Sequence, residues 1–304
     1  MTRRVLLTVH TARPEATSVA RQIATDLRAA GIAVCVPDTD ADELAAAHVG
    51  EVEVIKAGEG TAHGCELAVV LGGDGTILRT TELCRGTDTP VLGVNLGHVG
   101  FLAEADVEDL QAVVSGVVDR SYTVEERLTL DVEVRVGGEV VATNWALNEA
   151  SVEKASRERM LEVVAEVDDR PLSRWGCDGV ICATPTGSTA YAFSAGGPVV
   201  WPEVQALLLA PISAHALFAR PLVVSPDSTL AVEVVGQGAT GVLWCDGRRA
   251  AELPFGARVE VRRGTTPARL ARLHTAPFTD RLVRKFDLPV SGWRGAGRQE
   301  GGTR

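Results

Sequence analysis

The sequence predicts an N-terminal α/β domain followed by a β-rich domain. Its 304 residues are enough for two domains of ordinary size. Between residues 5 and 118, short apolar runs alternate with segments of helical periodicity, which is typical of a parallel sheet covered by helices. After residue 122, apolar and polar residues alternate one by one, which is typical of strands with one exposed face.

The first elements are a strand and a helix. The apolar run 5–9 predicts the strand, and residues 14–30 carry apolar side chains at four-residue spacing and end at Gly31, which suits a helix C-terminus. The segment 38–64 is acidic and rich in alanine and glycine, so it predicts no firm element. The other elements predicted for this domain are strands at 32–36, 67–71 and 90–94 and helices at 76–84 and 106–118.

The second domain begins with a hairpin. Residues 128–136 alternate apolar and polar side chains, Gly137 and Gly138 supply the turn, and residues 139–147 form the returning strand. We place the domain boundary at residue 122, so that residues 1–122 form the first domain and residues 123–276 the second. Further strands are predicted at 161–167, 230–235, 241–245 and 259–262, and a last helix at 280–285.

Charge and cysteine content narrow the partners and the compartment. The chain has 30 Lys and Arg against 40 Asp and Glu, a net charge of −10, which opposes binding to nucleic acid. Six cysteines without a Cys-x-x-Cys pair indicate reduced thiols rather than a zinc site or a disulfide framework. The N-terminal apolar run is too short for a secretory signal, and prolines interrupt the longest uncharged stretch. We therefore expect a cytoplasmic protein with no membrane or nucleic-acid partner.

The strongest local motif is the glycine turn Gly72-Gly73-Asp74-Gly75-Thr76, where an apolar strand meets a helix. Glycines let the phosphates of a ligand approach the backbone, and the amides at a helix N-terminus favour negative charge. We therefore predict phosphate contacts from Gly72, Gly73, Gly75 and Thr76, with the Asp74 carboxylate able to accept a hydroxyl proton. The structural alternative is a tight turn in which Asp74 is the helix N-cap. The motif matches neither the dinucleotide fingerprint nor the Walker loop.

Two polar segments of the second domain can bind a nucleotide. Residues 184–191, Thr-Pro-Thr-Gly-Ser-Thr-Ala-Tyr, combine four hydroxyl side chains with an aromatic ring, which suits the base and the sugar. Asn148 and Glu149 follow a predicted strand and can read an adenine edge and a ribose hydroxyl. The alternatives are a polar turn before a helix for the first segment and a solvated strand end for the second.

A further glycine-punctuated loop, residues 93–102, follows a strand at the carboxyl edge of the predicted sheet, where open α/β folds bind ligands. His98 in this loop is either an acid or base or a histidine that bonds to backbone. No group of His, Cys and carboxylate residues has the spacing of a protein metal cage. A divalent cation is therefore expected to arrive with a phosphate-bearing substrate.

Together these segments resemble the NAD kinase family. Lipid kinases and phosphofructokinases carry related GGDG turns, but here Pro90 leads into Val-Leu-Gly-Val-Asn-Leu-Gly and the segment typical of lipid kinases is absent. The resemblance covers nearly the whole chain. The motifs that carry it, in the family's order, are GGDGT at 72–76, NLGHVGFL at 95–102, NE at 148–149, DG at 178–179 and TPTGSTAY at 184–191.

The resemblance implies a Rossmann-like parallel sheet in the first domain and an all-β, sandwich-like second domain. It also implies that the last segment, 277–304, packs back on the first domain, that the site lies in a crevice between the domains, and that the protein is a homodimer or homotetramer. The implied activity is transfer of the ATP γ-phosphoryl group, with Mg²⁺ or another divalent cation, to the 2′-hydroxyl of the adenosine ribose of NAD. A lipid or sugar kinase and a non-catalytic dinucleotide sensor stay open as alternatives, as does polyphosphate in place of ATP.

The resemblance also carries the site residues over, position by position. Asp74 resembles the residue that accepts the proton of the ribose 2′-hydroxyl, with Gly75 and Arg79 beside the dinucleotide. Asn148 would face the adenine and Glu149 the ribose. The other implied contacts are Thr189, Ala190, Tyr191 and Ser194 around the adenosine, Phe101 at the pocket wall, Arg159 at a further ligand contact, Asp178 at the nicotinamide end from a neighbouring subunit, and Ser213 as a second cross-subunit candidate. Gly176 and Arg248 depart from the family pattern, in which Lys or Arg and Gln are common at these positions.

Overall fold

The computed structural model describes residues 2–12, 14–97, 100–103, 105–106, 110–157, 159–236, 240–273 and 277–290. The chain divides into two compact units. The first contains Met1–Val124 and Ala271–Arg304, and the second contains Glu125–Leu270.

The elements of the N-terminal part alternate between strands and helices. They are β1 (Arg4–Val9), α1 (Pro14–Ala29), β2 (Ala33–Pro37), α2 (Asp38–Ala46), β3 (Glu53–Ile55), β4 (Leu67–Leu71), α3 (Asp74–Cys84), β5 (Val91–Asn95), β6 (Ala105–Asp106), α4 (Leu110–Asp119) and β7 (Thr123–Arg127).

The remainder is mostly strands. They are β8 (Leu130–Val136), β9 (Glu139–Ala146), β10 (Glu149–Lys154), β11 (Leu161–Val167), β12 (Arg170–Cys177), β13 (Gly179–Ala183), β14 (Leu207–Ile212), β15 (Leu222–Val224), β16 (Leu230–Val234), β17 (Gly241–Cys245), β18 (Arg249–Leu253), β19 (Arg258–Arg263) and β20 (Ala268–Arg272). A 3-10 helix at Thr186–Thr189 leads into the short helix α5 (Tyr191–Ser194), and α6 (Phe278–Phe286) is the last helix.

The first unit is built on a mostly parallel sheet of eight strands in the order β3-β2-β1-β4-β5-β20-β7, with β6 beside β5. Strand β1 runs parallel to β2 and β4, and β4 runs parallel to β5. All residues of β4 and β5 are buried, which explains why these strands read as apolar runs without alternation. The helix α1 packs its buried side chains into the same core: Ala16, Ala20, Ile23, Ala24 and Leu27.

The second unit is an antiparallel sandwich of two six-stranded sheets. One sheet has the order β15-β14-β13-β10-β17-β18 and the other β12-β11-β16-β19-β8-β9. Alternate residues of β8 are buried, and they share one core with residues of β10 and β13 from the opposite sheet. Trp175 is fully buried in this core, and its indole N–H donates to Phe218 O over 3.1 Å.

The predicted combination of an α/β domain and an all-β sandwich is confirmed. The segment 38–64, for which no element is predicted, contains α2 and β3. The helix predicted at 106–118 begins only at Leu110, and residues 107–109 lie outside the described ranges. Strands β6, β7, β10, β12, β13, β14, β15, β18 and β20 have no sequence prediction. In β13 every residue is buried, so this strand lacks the alternation that would reveal it.

Candidate functional site

In the first unit, the carboxyl ends of three strands lie side by side. Val9 at the end of β1 is paired with Leu71 at the end of β4, and Leu71 is paired with Val94 of β5. The N–H of Gly72 donates to Val94 O over 3.1 Å, so the glycine turn lies against the end of β5. Open α/β sheets bind their ligands at this edge. The turn and the loop after β5 therefore form the candidate site of this unit.

Asp74 is the first residue of α3, and Gly73 is its N-cap. The backbone of Gly73 is extended and no side chain caps the helix. The alternative in which Asp74 is the N-cap is therefore wrong. The carboxylate of Asp74 is half-buried and accepts hydrogen bonds from outside α3.

The loop after β5 holds the Asp74 carboxylate through two backbone amides. Phe101 N–H donates to Oδ2 and Leu102 N–H donates to Oδ1, both over 3.1 Å. A Cβ atom on Gly100 would lie 2.3 Å from Asp74 Oδ1, so the carboxylate occupies the space of a side chain there. Each carboxylate oxygen keeps a second lone pair for a ligand hydroxyl. His98 in this loop lies outside the described residues.

The glycine turn leaves backbone open on its outer side. A Cβ atom on Gly73 or on Gly75 would meet no atom within 4 Å, and neither residue has a left-handed φ. The fold thus gives no steric or conformational reason for glycine at these positions. Within the described part of the chain, the N–H groups of Gly73, Asp74 and Gly75 have no acceptor, whereas those of Gly72 and Thr76 bond to Val94 O and Gly73 O. Three amides at a helix N-terminus are available to an anion.

Arg79 lies one turn further along α3 and binds Asp40 of α2. Its Nη1 and Nη2 atoms donate to the two carboxylate oxygens of Asp40 over 2.6 and 2.7 Å, and Nη2 also donates to Val9 O over 3.1 Å. The Asp40 side chain is only 1% exposed, and its Oδ2 also accepts the N–H of Val9. A buried carboxylate needs such a paired cation. No motif surrounds Asp40, so sequence analysis does not single it out.

In the second unit, the two polar segments at residues 148–149 and 184–191 meet. Strands β10 and β13 are antiparallel neighbours, with Glu149 paired to Ala183. Thr184 N–H donates to Asn148 O over 2.9 Å, and a Cβ atom on Gly187 would lie 2.0 Å from the same oxygen. Among the described residues nothing binds the side-chain amide of Asn148, which leaves it available to a ligand.

Asp246, which the sequence analysis did not single out, organises the same region. Its carboxylate accepts the N–H groups of Leu147, Asn148 and Glu149 over 2.9, 2.7 and 3.3 Å. Arg249 donates to it from the side over 2.9 Å. Burial raises the pKa of Asp246, against the effect of these amides and of the guanidinium. Asp246 thus fixes the backbone that presents Asn148 and Glu149.

Glu149 is 8% exposed and stands in an acidic environment. Burial, and next the negative charge of Asp246, raise the pKa of Glu149 to about 8, although the N–H of Tyr191 reaches its Oε2 over 3.4 Å. A carboxyl with this pKa carries a proton for most of the time near pH 7. It can therefore donate one hydrogen bond to a ligand as well as accept others.

The other residues expected around the adenosine lie in the segment 184–194, near Glu149. Thr189 Oγ1 donates to Thr186 O over 3.2 Å, Ala190 is half-buried, and Tyr191 and Ser194 are exposed. The N–H of Tyr191 is the group that contacts Glu149. The second unit therefore brings Asn148, Glu149 and the segment 184–194 together in one place.

Asp178 and Ser213 also lie together in the second unit. Lys154 Nζ forms an ion pair with Asp178 over 2.5 Å, and this hydrogen bond, with smaller contributions from Ser213 and His215, holds the pKa of Asp178 below its usual range. Asp178 is 42% exposed and Ser213 is exposed. Arg159 is exposed between β10 and β11.

Phe101 is 9% exposed, and its ring lies 6.0 Å from that of Phe278 and 5.8 Å from that of Phe286, centroid to centroid. Both partners belong to α6. Arg281 of the same helix donates to Phe101 O over 3.0 Å. The last helix thus contacts the loop that holds Asp74.

Within the described ranges there is neither a protein metal cage nor a helix able to span a membrane. No three His, Cys, Asp or Glu residues there come together as a metal-binding group. The Asp74 carboxylate stands without a second carboxylate ligand, so the residues of the glycine turn fit a metal only if phosphate oxygens supply the other ligands. None of the helices in these ranges has the length and hydropathy of a membrane span.

Known families account for most of the chain. The family model described as "ATP-NAD kinase N-terminal domain" matches residues 5–122, and "ATP-NAD kinase C-terminal domain" matches residues 147–273. A protein named NAD kinase 2 from Streptomyces coelicolor is 62% identical over 297 residues, which cover 97% of each chain.

Solved structures show the same fold. The yeast NADH kinase complexed with NADH has a TM-score of 0.82 at 24% identity and covers 98% of this chain and 90% of its own. An NAD kinase from Archaeoglobus fulgidus in complex with ATP has a TM-score of 0.69 at 26% identity, with coverage of 94% and 99%.

Proposed function

The chain belongs to the ATP-NAD kinase family, and on that premise we propose that it transfers the γ-phosphoryl group of ATP to the 2′-hydroxyl of the adenosine ribose of NAD. The products are NADP and ADP. The observation that carries the proposal is the Asp74 carboxylate, which two backbone amides hold beside a glycine turn with open space and free N–H groups. The N–H groups of the glycine turn can bind phosphate oxygens, and the carboxylate can accept the proton of a hydroxyl group.

Asp74 acts as the base in this reaction. A free lone pair of its carboxylate accepts the proton of the ribose 2′-hydroxyl as that oxygen attacks the γ-phosphorus. The bond between the γ-phosphorus and the bridging oxygen breaks, and its electrons leave with ADP. The amides of Phe101 and Leu102 keep the carboxylate from rotating, so that its free lone pairs face one direction.

The backbone of the glycine turn binds phosphate oxygens. The N–H groups of Gly73, Asp74 and Gly75 lie at the N-terminus of α3 and favour negative charge. The missing side chains of Gly73 and Gly75 let a phosphate come close. Gly72 and Thr76 shape the turn, since a Cβ atom on Gly72 would lie 2.6 Å from Thr76 Oγ1. Arg79 stands beside the dinucleotide and is oriented by Asp40.

The second unit recognises the adenosine. Asn148 presents its free amide to the adenine, and Glu149 bonds to ribose hydroxyls. The wall of the adenosine site is formed by Thr189, Ala190, Tyr191 and Ser194, with Arg159 as a further contact. Phe101, in the first unit, is a separate ligand contact beside Asp74. Glu149, which binds the ribose, and Asp74, which acts as the base, belong to separate motifs. Substrate recognition and proton transfer therefore depend on different residues.

Mg²⁺, or another divalent cation, enters with ATP as part of the substrate. It neutralises charge on the phosphate oxygens during transfer. The family likeness of the archaeal structure, which is described in complex with ATP, supports ATP as donor. Polyphosphate is a second donor to be tested.

The domains that we propose, residues 1–122 with 277–304 and residues 123–276, differ from the compact units only at residues 123–124 and 271–276. The protein works as a homodimer or homotetramer, in which Asp178 and Ser213 extend to the nicotinamide end of a dinucleotide on a neighbouring subunit. Their exposure and closeness to each other support this role. All six cysteines are free, buried thiols, which supports a reducing, cytoplasmic environment.

The test is coupled detection of NADP from NAD, with Mg²⁺ and either ATP or polyphosphate as donor. NADP formation that requires Asp74 supports the proposal and identifies the donor. Failure to form NADP with either donor would contradict it. Diacylglycerol in place of NAD tests the lipid-kinase alternative, and NAD binding in calorimetry without ADP release would instead indicate a dinucleotide sensor.

A further inference from the structure

The last helix, α6, is joined to the base by a single peptide unit. The carbonyl oxygen of Phe101 accepts Arg281 Nη1 over 3.0 Å, and the amide of the same peptide unit, Leu102 N–H, donates to Asp74 Oδ1 over 3.1 Å. The flanking groups add one bond each, since Phe101 N–H donates to Asp74 Oδ2 over 3.1 Å and Leu102 O accepts Arg272 Nη1 over 3.3 Å. Two guanidinium groups therefore hold the carbonyl side of a loop whose amide side holds the carboxylate.

The rings of α6 fix the same residue. Phe278 and Phe286 lie two turns apart on the helix, and both rings pack on the buried ring of Phe101 at tilted angles of 39° and 48°. No residue of α6 is itself fully buried. Phe101 is thus one point of attachment of the helix, and an element with so little buried surface opens more easily than a core helix.

We propose that α6 is a positioning element for the Asp74 carboxylate, and that Arg281 is the positioning residue that links the helix to the loop holding this carboxylate. The inference rests on the proposed function, because it concerns the residue that acts there as the base. Arg281 acts through the peptide between Phe101 and Leu102. It binds the carbonyl of this peptide, whose amide donates to Asp74, so its loss lets the peptide rotate and lets the carboxylate turn from its aligned direction.

The charge of Arg281 also acts through the peptide. A cation on the carbonyl oxygen polarises the amide and strengthens its N–H as a donor, as chains of hydrogen bonds do. A lysine at this position would keep a charged donor but lose the planar guanidinium. Arg281→Lys should therefore restore part of what Arg281→Gln loses.

The experiment compares Arg281→Gln with Arg281→Lys and with a matched control, Arg21→Gln. Arg21 is also a first-unit arginine whose guanidinium caps a carbonyl, that of Ala47, and it has no bond to the Asp74 loop. We expect Arg281→Gln to lower kcat about tenfold with KM for NAD and ATP changed less than about twofold, and Arg281→Lys to recover about half of that loss on a logarithmic scale. Arg21→Gln should leave kcat unchanged.

A double-mutant cycle separates positioning from a general loss of structure. In an Asp74→Asn background, Arg281→Gln should lower the remaining turnover by less than about twofold, because there is no base left to align. An equal tenfold loss in both backgrounds would show that Arg281 acts elsewhere, and it would overturn the proposal.

Amide hydrogen exchange gives a readout without catalysis. NMR should show the amides of Phe101 and Leu102 exchanging at least about tenfold faster in Arg281→Gln than in wild type, with no such change in Arg21→Gln. Unchanged exchange of both amides would refute the link between α6 and the loop. If the wild-type protein forms no NADP, the proposed function fails, and the exchange comparison alone still decides whether α6 positions the loop.

Discussion

Gly100 and Asp74 share one space: a Cβ atom on Gly100 would lie 2.3 Å from Asp74 Oδ1. Gly100 has no left-handed φ, so the reason for glycine is the carboxylate and not the backbone conformation. The following two residues donate their amides to the same carboxylate. The glycine-punctuated loop 93–102, which in the sequence looks like a separate motif, thus holds the Asp74 side chain of the glycine turn.

Asp74→Asn should lower kcat about 100-fold or more, with KM for NAD changed less than about threefold, because the base is lost while the binding residues stay. Both carboxylate oxygens accept amides, so the NH₂ group of Asn must face one N–H donor and the loop also loosens. Steady-state kinetics of NADP formation measure both parameters. Activity within a few-fold of wild type would remove Asp74 from the mechanism.

Gly100→Ala should reduce turnover although the base remains. The added methyl group overlaps the carboxylate and pushes it from its amide donors, so we expect kcat to fall about 10- to 100-fold. The control is Gly58→Ala in the same unit, where a Cβ atom meets nothing within 4 Å. Equal kcat for the two variants would mean that the carboxylate position does not limit the reaction.

Gly75→Ala should affect stability and activity in opposite directions. Gly75 lies in the first turn of α3, exposed and without a neighbour in the space of its Cβ, so alanine should raise the free energy of unfolding by about 0.5–1 kcal/mol. The same methyl group stands where a phosphate should approach, and kcat/KM should fall at least about tenfold. Urea unfolding and kinetics check the two effects, and a more stable variant with full activity would show that no phosphate approaches Gly75.

Glu149 should make the protein less stable as the pH rises. Its carboxyl titrates near 4.5 when unfolded and at about 8 when folded, so between these values the folded state holds a proton that the unfolded state has released. The free energy of unfolding therefore falls through this window, by on the order of 5 kcal/mol between the two pKa values. Unfolding of wild type and Glu149→Gln at pH 5 and pH 8.5 measures the difference. Parallel curves for the two proteins would show that Glu149 titrates normally.

Asp246→Asn should lower both the stability of the second unit and the affinity for NAD. The variant keeps one carbonyl oxygen for three amides and loses the charge opposite Arg249, so the free energy of unfolding should fall by about 2 kcal/mol and KM for NAD should rise several-fold. Asp168→Asn is the control, because Asp168 has the same left-handed φ of 53° and accepts the N–H of Thr229, yet is exposed. A rise in KM for NAD of similar size in the control would show that Asp246 has no specific role in NAD binding.

Much of the fold could be predicted because its signals are local. The strand 67–71 and the glycine turn after it are read from neighbouring residues, as are the alternating strands β8 and β11. Strand β13 was missed because it is buried on both faces and has no alternation. The segment 38–64 was missed for a related reason: α2 has few buried positions, so its periodicity is weak.

The candidate site divides in the same way. Asp74, Asn148 and Glu149 stand in motifs whose residue types indicate carboxylate and amide contacts to a nucleotide. Asp40 and Asp246 stand in no such motif, and only their partners reveal what they do. A carboxylate that binds an arginine 39 positions away, or amides 97 to 99 positions away, leaves no pattern in a single sequence.

The amino-acid sequence by itself determined which groups are present and the local backbone that carries them: a glycine turn before a helix, a polar turn before another, and strands of known type. The tertiary structure alone decided which of these groups meet, because the amides of residues 101 and 102 reach Asp74 only when β4 and β5 pair in register. It also decided the ionisation of Glu149, since burial and the charge of Asp246 exist only in the folded chain.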